Sequence, residues 1–404
     1  MWRCEDRDTE TEVAVTQRSW PEQAFNFGFF FFAYYGFVGV FSPFVSLYFS
    51  DLGMTAVQIG ILMSVAQAMR IFGPNLWGWV ADHSQQRSRV LRLTGLGAVL
   101  SFICVFFGKT FASLFFIMIA LNLFTSAQGP LSEALMLAEL KGDFTHYGML
   151  RLWGSVGYIV VVLTSGWLFD WLGIGVMPWV GLTLLGLVFT VSMQLKETPQ
   201  SYVHKAKISM RALIKQREII AFLASACAMI GAHMAVYVFF SLYMSQLGYS
   251  KITIGLMWTL GVIAEIGFFF YQAPMFRRFG IQRLMLFSLA VGVVRFAMIG
   301  LGAEFLFLIL LAQFLHGVTF GIHHSASVMT LQRWFSGPLQ ARGQALYISV
   351  SYGLGGTLGG IGFSYLWDHV GPEWMYLSAA LVSFVGLCCA ILSFRWHPVN
   401  HTAR

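Results

Sequence analysis

A few ionisable side chains lie deep in apolar surroundings: Arg70, Glu133, Arg151, Glu265, Arg295 and His316, with His323 and His324 shortly after. If the surrounding runs cross a bilayer, each such group costs at least ~2.5 kcal/mol at mid-membrane, so each needs a partner or a wet cavity. Glu133 and Arg151 are 18 residues apart on either side of a short polar loop. On adjacent antiparallel helices they fall at similar depth and can pair, either as a structural salt bridge or as a binding pair. With that pair counted as neutral, Arg70 and Arg295 face Glu265 alone. A cavity with one surplus positive charge favours an anion, and Arg meets a carboxylate through two parallel hydrogen bonds. The alternative for Arg70 and Arg295 is a clamp onto Glu265 or onto backbone carbonyls. For the histidines the alternatives are hydrogen-bonded packing and a proton relay. On an ideal α-helix His323 faces nearly the same way as His316, and His324 is turned by roughly 80°.

Membrane helices are what must position these groups. Apolar residues make up 57% of the 404-residue chain and charged residues 11%, against about 25% charge in a soluble domain. Long apolar runs begin near Phe25, Ala56, Leu91, Phe111, Tyr147 and Gly175, then near Ile219, Ile252, Ile281, Ala303, Leu339 and Glu373. A helix needs roughly 20 such residues to cross about 30 Å of hydrocarbon. The expected fold is all-α and polytopic, with about twelve spans in two six-helix bundles.

The longest polar stretch, 196–217, holds six basic residues (Lys196, Lys205, Lys207, Arg211, Lys215 and Arg217). It divides the chain into a polar tail 1–24, a bundle 25–195, the linker 196–217, a bundle 218–395 and a tail 396–404. That is the layout of two fused repeats. The basic residues fall in the loops after even-numbered spans, whereas the opposite loops hold only Lys109 and Lys251. Both termini are therefore expected in the cytoplasm. The net charge of +7 follows this topology and forms no basic stripe for nucleic acid. The first 26 residues lack a basic segment followed by an apolar core, so no cleaved signal is expected. The five cysteines (Cys4, Cys104, Cys227, Cys388 and Cys389) have no metal-type spacing, and free thiols are expected.

The loop between the second and third spans carries Gly78, Asp82, Arg87 and Arg89. Its Gly-x3-Asp pattern followed by basic residues resembles the signature loop of the major facilitator superfamily. Asp82 is suited to cap a helix end there. The run Tyr352-Gly-Leu-Gly-Gly-Thr-Leu-Gly-Gly360 reads as close helix packing and not as a phosphate loop.

Gly129-Pro-Leu-Ser-Glu133 followed by Tyr147-Gly-Met-Leu-Arg151-Leu-Trp-Gly-Ser-Val-Gly-Tyr158 resembles the lactose permease branch of that superfamily. The resemblance implies that Glu133 and Arg151 bind substrate and that Tyr158 stacks on a ring. It also implies that Arg295 and His316 belong to a binding and proton-coupling cluster. A nearer resemblance, over about residues 25 to 395, is to the 3-phenylpropionate permease family. It rests on Tyr147-Gly-x-x-Arg-Leu-Trp-Gly-Ser-Val, Gly292-Val-Val-Arg295, Leu315-His316-x-x-Thr319-Phe320, Arg342-Gly-Gln-Ala-Leu-Tyr347 and the element at Arg70. Where lactose permease has a proton-carrying carboxylate three residues after the His, this chain has Thr319. Glu265 is then the first candidate for the proton, with His316 second.

These resemblances imply a multi-pass protein of a bacterial-type inner membrane: a secondary transporter, expected as a monomer, with a small molecule, protons and lipid as partners. The substrate expected is a small organic anion such as an aromatic carboxylate, bound by Arg70, Glu133, Arg151, Tyr158 and Arg295. The alternative is a sugar or nucleoside symporter using Glu133, Arg151 and Tyr158, with drug efflux third. Tyr34, Tyr35, Trp153 and Tyr237 lie in spans that reach a central cavity. No cofactor or metal is expected. An enzyme is disfavoured, since HExxH, GxSxG and carboxylates at catalytic spacing do not occur.

Overall fold

The computed structural model describes residues 23–140, 144–197, 215–335 and 339–397. The expected tails 1–24 and 396–404, the linker 196–217 and Cys4 lie almost wholly outside the described residues. Among the described residues every regular element is a helix. Eleven helical runs are long and apolar enough to cross a bilayer. Spans 1 to 6 are Ala24–Asp51, Ala56–Ser84, Arg87–Phe106, Phe111–Leu140, His146–Leu172 and Ile174–Ser192. Spans 7 to 10 are Arg217–Gln246, Lys251–Phe279, Ile281–Gly302 and Leu306–Trp334. The last run, Arg342–Trp396, is 55 residues long. Gly371 breaks it with φ 83° and Pro372 follows, giving span 11 (342–370) and span 12 (372–396). Only glycine takes that left-handed backbone without strain.

The loops opposite the linker begin their helices with side-chain caps. Thr55 accepts from the backbone of Gln58, Thr110 from that of Ser113, and Ser250 from that of Thr253. Each satisfies a backbone donor that the first helical turn leaves free.

The ends of each half are tied at one face, here called the linker face. The Lys196 amide donates to Gln23 Oε1 at 2.7 Å, joining the start of span 1 to the end of span 6. Ser393 Oγ donates to the Glu218 carbonyl at 2.7 Å, joining span 12 to the start of span 7. At the remote face the two halves press together through glycines. A Cβ on Gly166 would sit 2.7 Å from the Lys251 carbonyl oxygen, and one on Gly60 would sit 2.9 Å from that of Gly360. The glycine-rich middle of span 11 is helix packing, as expected. Gly355 and Gly359 lie against the span 7 backbone at Cys227 and Gly231, and Gly356 lies against Gln67 of span 2.

The structure corrects two local expectations. Asp82 does not cap span 3. Its side chain is largely exposed and stands 3.9 Å from Arg87. Glu197, just past span 6, does the capping: its carboxylate accepts from the Arg87 and Ser88 amides at 3.1 and 3.2 Å. The histidine facing is also different. Residues Gly317–Ile322 form a π-helical segment within span 10, and the wider turn delays the register by about one residue. His324, not His323, therefore shares the face of His316. The His316, Phe320 and His324 rings stack in sequence at 5.5 and 6.0 Å.

Candidate functional site

A cavity of about 430 Å³ lies between the halves, with walls from spans 1, 2, 4, 5, 7, 8, 10 and 11. Of the expected site residues, Arg70, Arg151, Tyr158, Glu265 and His316 line it. Tyr34, Tyr35 and Tyr237 also line it, whereas Trp153 turns outward with its ring against Gly28.

Glu133 supports the wall from one layer out. Its Oε1 accepts from Arg151 Nε at 3.3 Å. The same guanidinium lies 4.1 Å from the Tyr35 ring centroid and donates to the Tyr35 hydroxyl. Gly154 makes room for this cluster, since a Cβ there would fall 2.6 Å from the Tyr35 ring and 3.0 Å from Arg151 Nη1. The pairing expected from the 18-residue spacing is thus present.

Arg70 enters the cavity from span 2 with an exposed side chain. Its guanidinium lies over the Tyr352 ring at 5.3 Å, and the Tyr352 hydroxyl sits 3.2 Å from His324 Nδ1. Glu265 enters from span 8. Among the described residues neither Arg70 nor Glu265 has an ion-pair partner.

Arg295 takes the alternative expected for it, a clamp onto a backbone carbonyl. It is fully buried and lies outside the cavity lining. Its Nε donates to the Ala312 carbonyl at 2.8 Å, Nη1 to Thr319 Oγ1 at 3.1 Å, and Nη2 to Gln313 Oε1 at 3.2 Å. His233 Nε2 stands 3.3 Å from Nη1. The guanidinium thus clamps span 10 to span 9 through a backbone carbonyl and neutral acceptors. It makes no contact with Glu265, so a direct Arg295–carboxylate contact is not available in this arrangement.

That placement revises the charge count. With Arg295 outside the wall, Arg70 and Arg151 stand against Glu265 and Glu133. The wall charges then balance only with Glu133, which pairs with Arg151 from one layer out, counted in. What remains is an aromatic cavity, with Trp258, Phe269 and Phe320 in addition to the tyrosines, and with the amides Gln67, Asn122 and Gln313. Flat rings meet such aromatic walls by stacking, and the amides supply hydrogen bonds to polar substituents.

Sequence reasoning passed over His233, Gln313 and Tyr352. Gln313 carried a usable signal, because it lies three residues before His316 and so on the same helix face. His233 carried another, as a lone polar group deep in an apolar span. Tyr352 stands at the head of the glycine run, where packing is the plainer reading.

The sequence profile of the family described as "MFS_1 like family" matches residues 25–378. The Escherichia coli (strain K12) protein named "Probable 3-phenylpropionic acid transporter" is 31% identical over 87% of this chain and 93% of its own length. "Nucleoside permease NupG" of the same organism is 23% identical over 78% of this chain and 81% of its own length. The crystal structure of nucleoside transporter NupG superposes with a TM-score of 0.83 at 17% identity, over 93% of this chain and 99% of that one.

Proposed function

Because the chain belongs to the MFS_1 like family, and so is a secondary transporter of small molecules in the major facilitator superfamily and not an enzyme, we propose that it imports a neutral, hydroxylated ring compound of the nucleoside type together with protons. The observation that carries this reading is the aromatic cavity from which Arg295 is absent, with Arg151 already paired to Glu133. A neutral ring compound adds no further charge to such a site. The alternating-access cycle assigned here moves bundles 25–195 and 218–395 as two bodies about the cavity. Tyr158 and its neighbouring aromatics stack on the ring. Arg151, held by Glu133 and Tyr35, binds hydroxyl groups. Glu265, which has no cation partner among the described residues, takes the proton, with His316 beside it as the second candidate. The excess of basic residues puts the linker face and both termini in the cytoplasm.

A second reading, uptake of an aromatic carboxylate, is favoured by one observation. Arg70 presents a guanidinium to the cavity over the Tyr352 ring and has no ion-pair partner among the described residues. The named function of the 31%-identical relative supports the same reading. Uptake into proteoliposomes under an imposed pH gradient tests both. Uridine is expected to accumulate and 3-phenylpropionate is not. Accumulation of the acid alone would replace the first reading with the second.

A further inference from the structure

We infer that Gln313 is the residue that reads the ring of the ligand: its amide nitrogen, turned away from Arg295, donates a hydrogen bond to a carbonyl oxygen on that ring. The inference rests on the proposed transport of a neutral ring compound and specifies which feature of the ring is recognised.

An amide side chain can be turned either way round, and its surroundings decide which. Here the decision is forced. Arg295 Nη2 lies 3.2 Å from the Gln313 oxygen, and a guanidinium has donors but no acceptor. The oxygen must therefore face Arg295, and the nitrogen must point the other way. That nitrogen is buried and has no hydrogen-bond partner among the described residues, although Gln313 lines the cavity. The side chain as a whole is only 2% exposed. An unpaired buried donor costs free energy that an acceptor on the ligand removes.

Arg295 is in turn held from every side. His233 Nδ1 lies 2.8 Å from the Met229 carbonyl, so its proton sits on Nδ1 and Nε2 is left as an acceptor. That bare nitrogen faces Arg295 Nη1 at 3.3 Å. Thr319 Oγ1 accepts from the same Nη1 at 3.1 Å, and the Ala312 carbonyl accepts from Nε at 2.8 Å. His233 and Arg295 are positioning residues. They do not touch the ligand, but they fix which end of the Gln313 amide the ligand meets. His316, one turn further along the same wall, also presents a buried nitrogen, its Nδ1, without a hydrogen-bond partner among the described residues.

Titration calorimetry on the purified full chain tests this with two probes. One is uridine; the other is its phenyl riboside analogue, which keeps the ribose but has no ring carbonyl. The parent protein is expected to prefer uridine by at least about tenfold. Gln313→Leu removes the donor without adding charge. It should lower uridine affinity by about tenfold and leave the phenyl analogue within about twofold, which erases the preference. Gln313→Glu keeps the shape and gives Arg295 a carboxylate, but it presents an oxygen to the ligand and should also lose uridine selectively. Arg295→Lys should bring the ratio of the two affinities toward one, whereas a purely structural role would lower both together. A preference that survives Gln313→Leu, or equal losses for both probes, overturns the inference while leaving the transport reading intact. Binding of neither probe by the parent overturns both.

Discussion

The carboxylate of Asp170, at the end of span 5, accepts a hydrogen bond from the backbone amide of Lys251, the first residue of span 8, at 2.8 Å. Its second oxygen accepts from the Ile252 amide at 2.9 Å, and the Lys251 ammonium is 3.8 Å away. A second contact of the same kind joins span 11 to span 2, where Asp368 accepts from the Val57 amide at 3.3 Å. Each acid satisfies amides that the first turn of a helix in the other half leaves free, and the helix dipole favours its charge there. Together they clasp the halves at the remote face. Replacing both acids with Ala should loosen that clasp. At about 0.7 kcal/mol each, the population open at the remote face should rise about tenfold. A cysteine at Val38, in a cysteine-free background, should then react correspondingly faster with an impermeant thiol reagent applied at that face. An unchanged rate would mean that glycine packing alone closes it.

Glu265 is the proposed proton carrier because it lines the cavity and, among the described residues, has no ion-pair partner. Glu265→Gln should abolish accumulation driven by a pH gradient while retaining exchange of internal for external substrate. Undiminished accumulation by this variant would move the proton to His316.

Arg295 holds four acceptors and no carboxylate. Arg295→Met should take the guanidinium donor from the Ala312 carbonyl and Gln313 Oε1 in a buried place, which costs about 1–3 kcal/mol for each group left unpaired, whereas His233 Nε2 keeps Thr319 Oγ1 at 3.2 Å. A melting point lowered by about 5 °C or more in detergent would register that loss. Adding Glu265→Gln should restore none of it, since the two side chains are not partners. Recovery in the double variant would show an Arg295–Glu265 pair that this arrangement does not contain.

Glycines offer an internally controlled test of packing. A Cβ at Gly359 would fall 2.4 Å from the Gly231 carbonyl oxygen, whereas one at Gly362 meets nothing within 4 Å. Gly359→Ala should lower thermal stability by about 1–3 kcal/mol through overpacking. Gly362→Ala, on the same helix, should leave the melting point nearly unchanged. Equal melting points for the two variants would contradict the close contact of spans 7 and 11.

The helices were legible in the sequence because apolar length alone specifies a membrane span, and every run begins within a few residues of its expected place. The Glu133–Arg151 pair was legible too, since two charges at equal depth on neighbouring antiparallel helices have little choice of partner. Facing was harder. The position of His324 depends on a π-helical turn, whose one-residue delay leaves no mark in residue spacing. The exclusion of Arg295 from the cavity depends on which of several neutral acceptors its helix meets, and charge counting is blind to neutral acceptors. Glu197 and Asp170 cap helices distant in sequence, so local pattern could not assign them.

The central claim is that the cavity suits a neutral ring and not an anion. Equilibrium binding of uridine and of 3-phenylpropionate to the purified chain, at neutral pH and in both the parent and Arg70→Gln, tests it most directly. Uridine should bind the parent at least about tenfold more tightly than the acid. Arg70→Gln, which removes the cation at the ring of Tyr352, should change uridine affinity by less than about threefold, within the range of a surface charge. Tighter binding of the acid to the parent, lost in Arg70→Gln, would contradict the account and establish the cavity as an anion site.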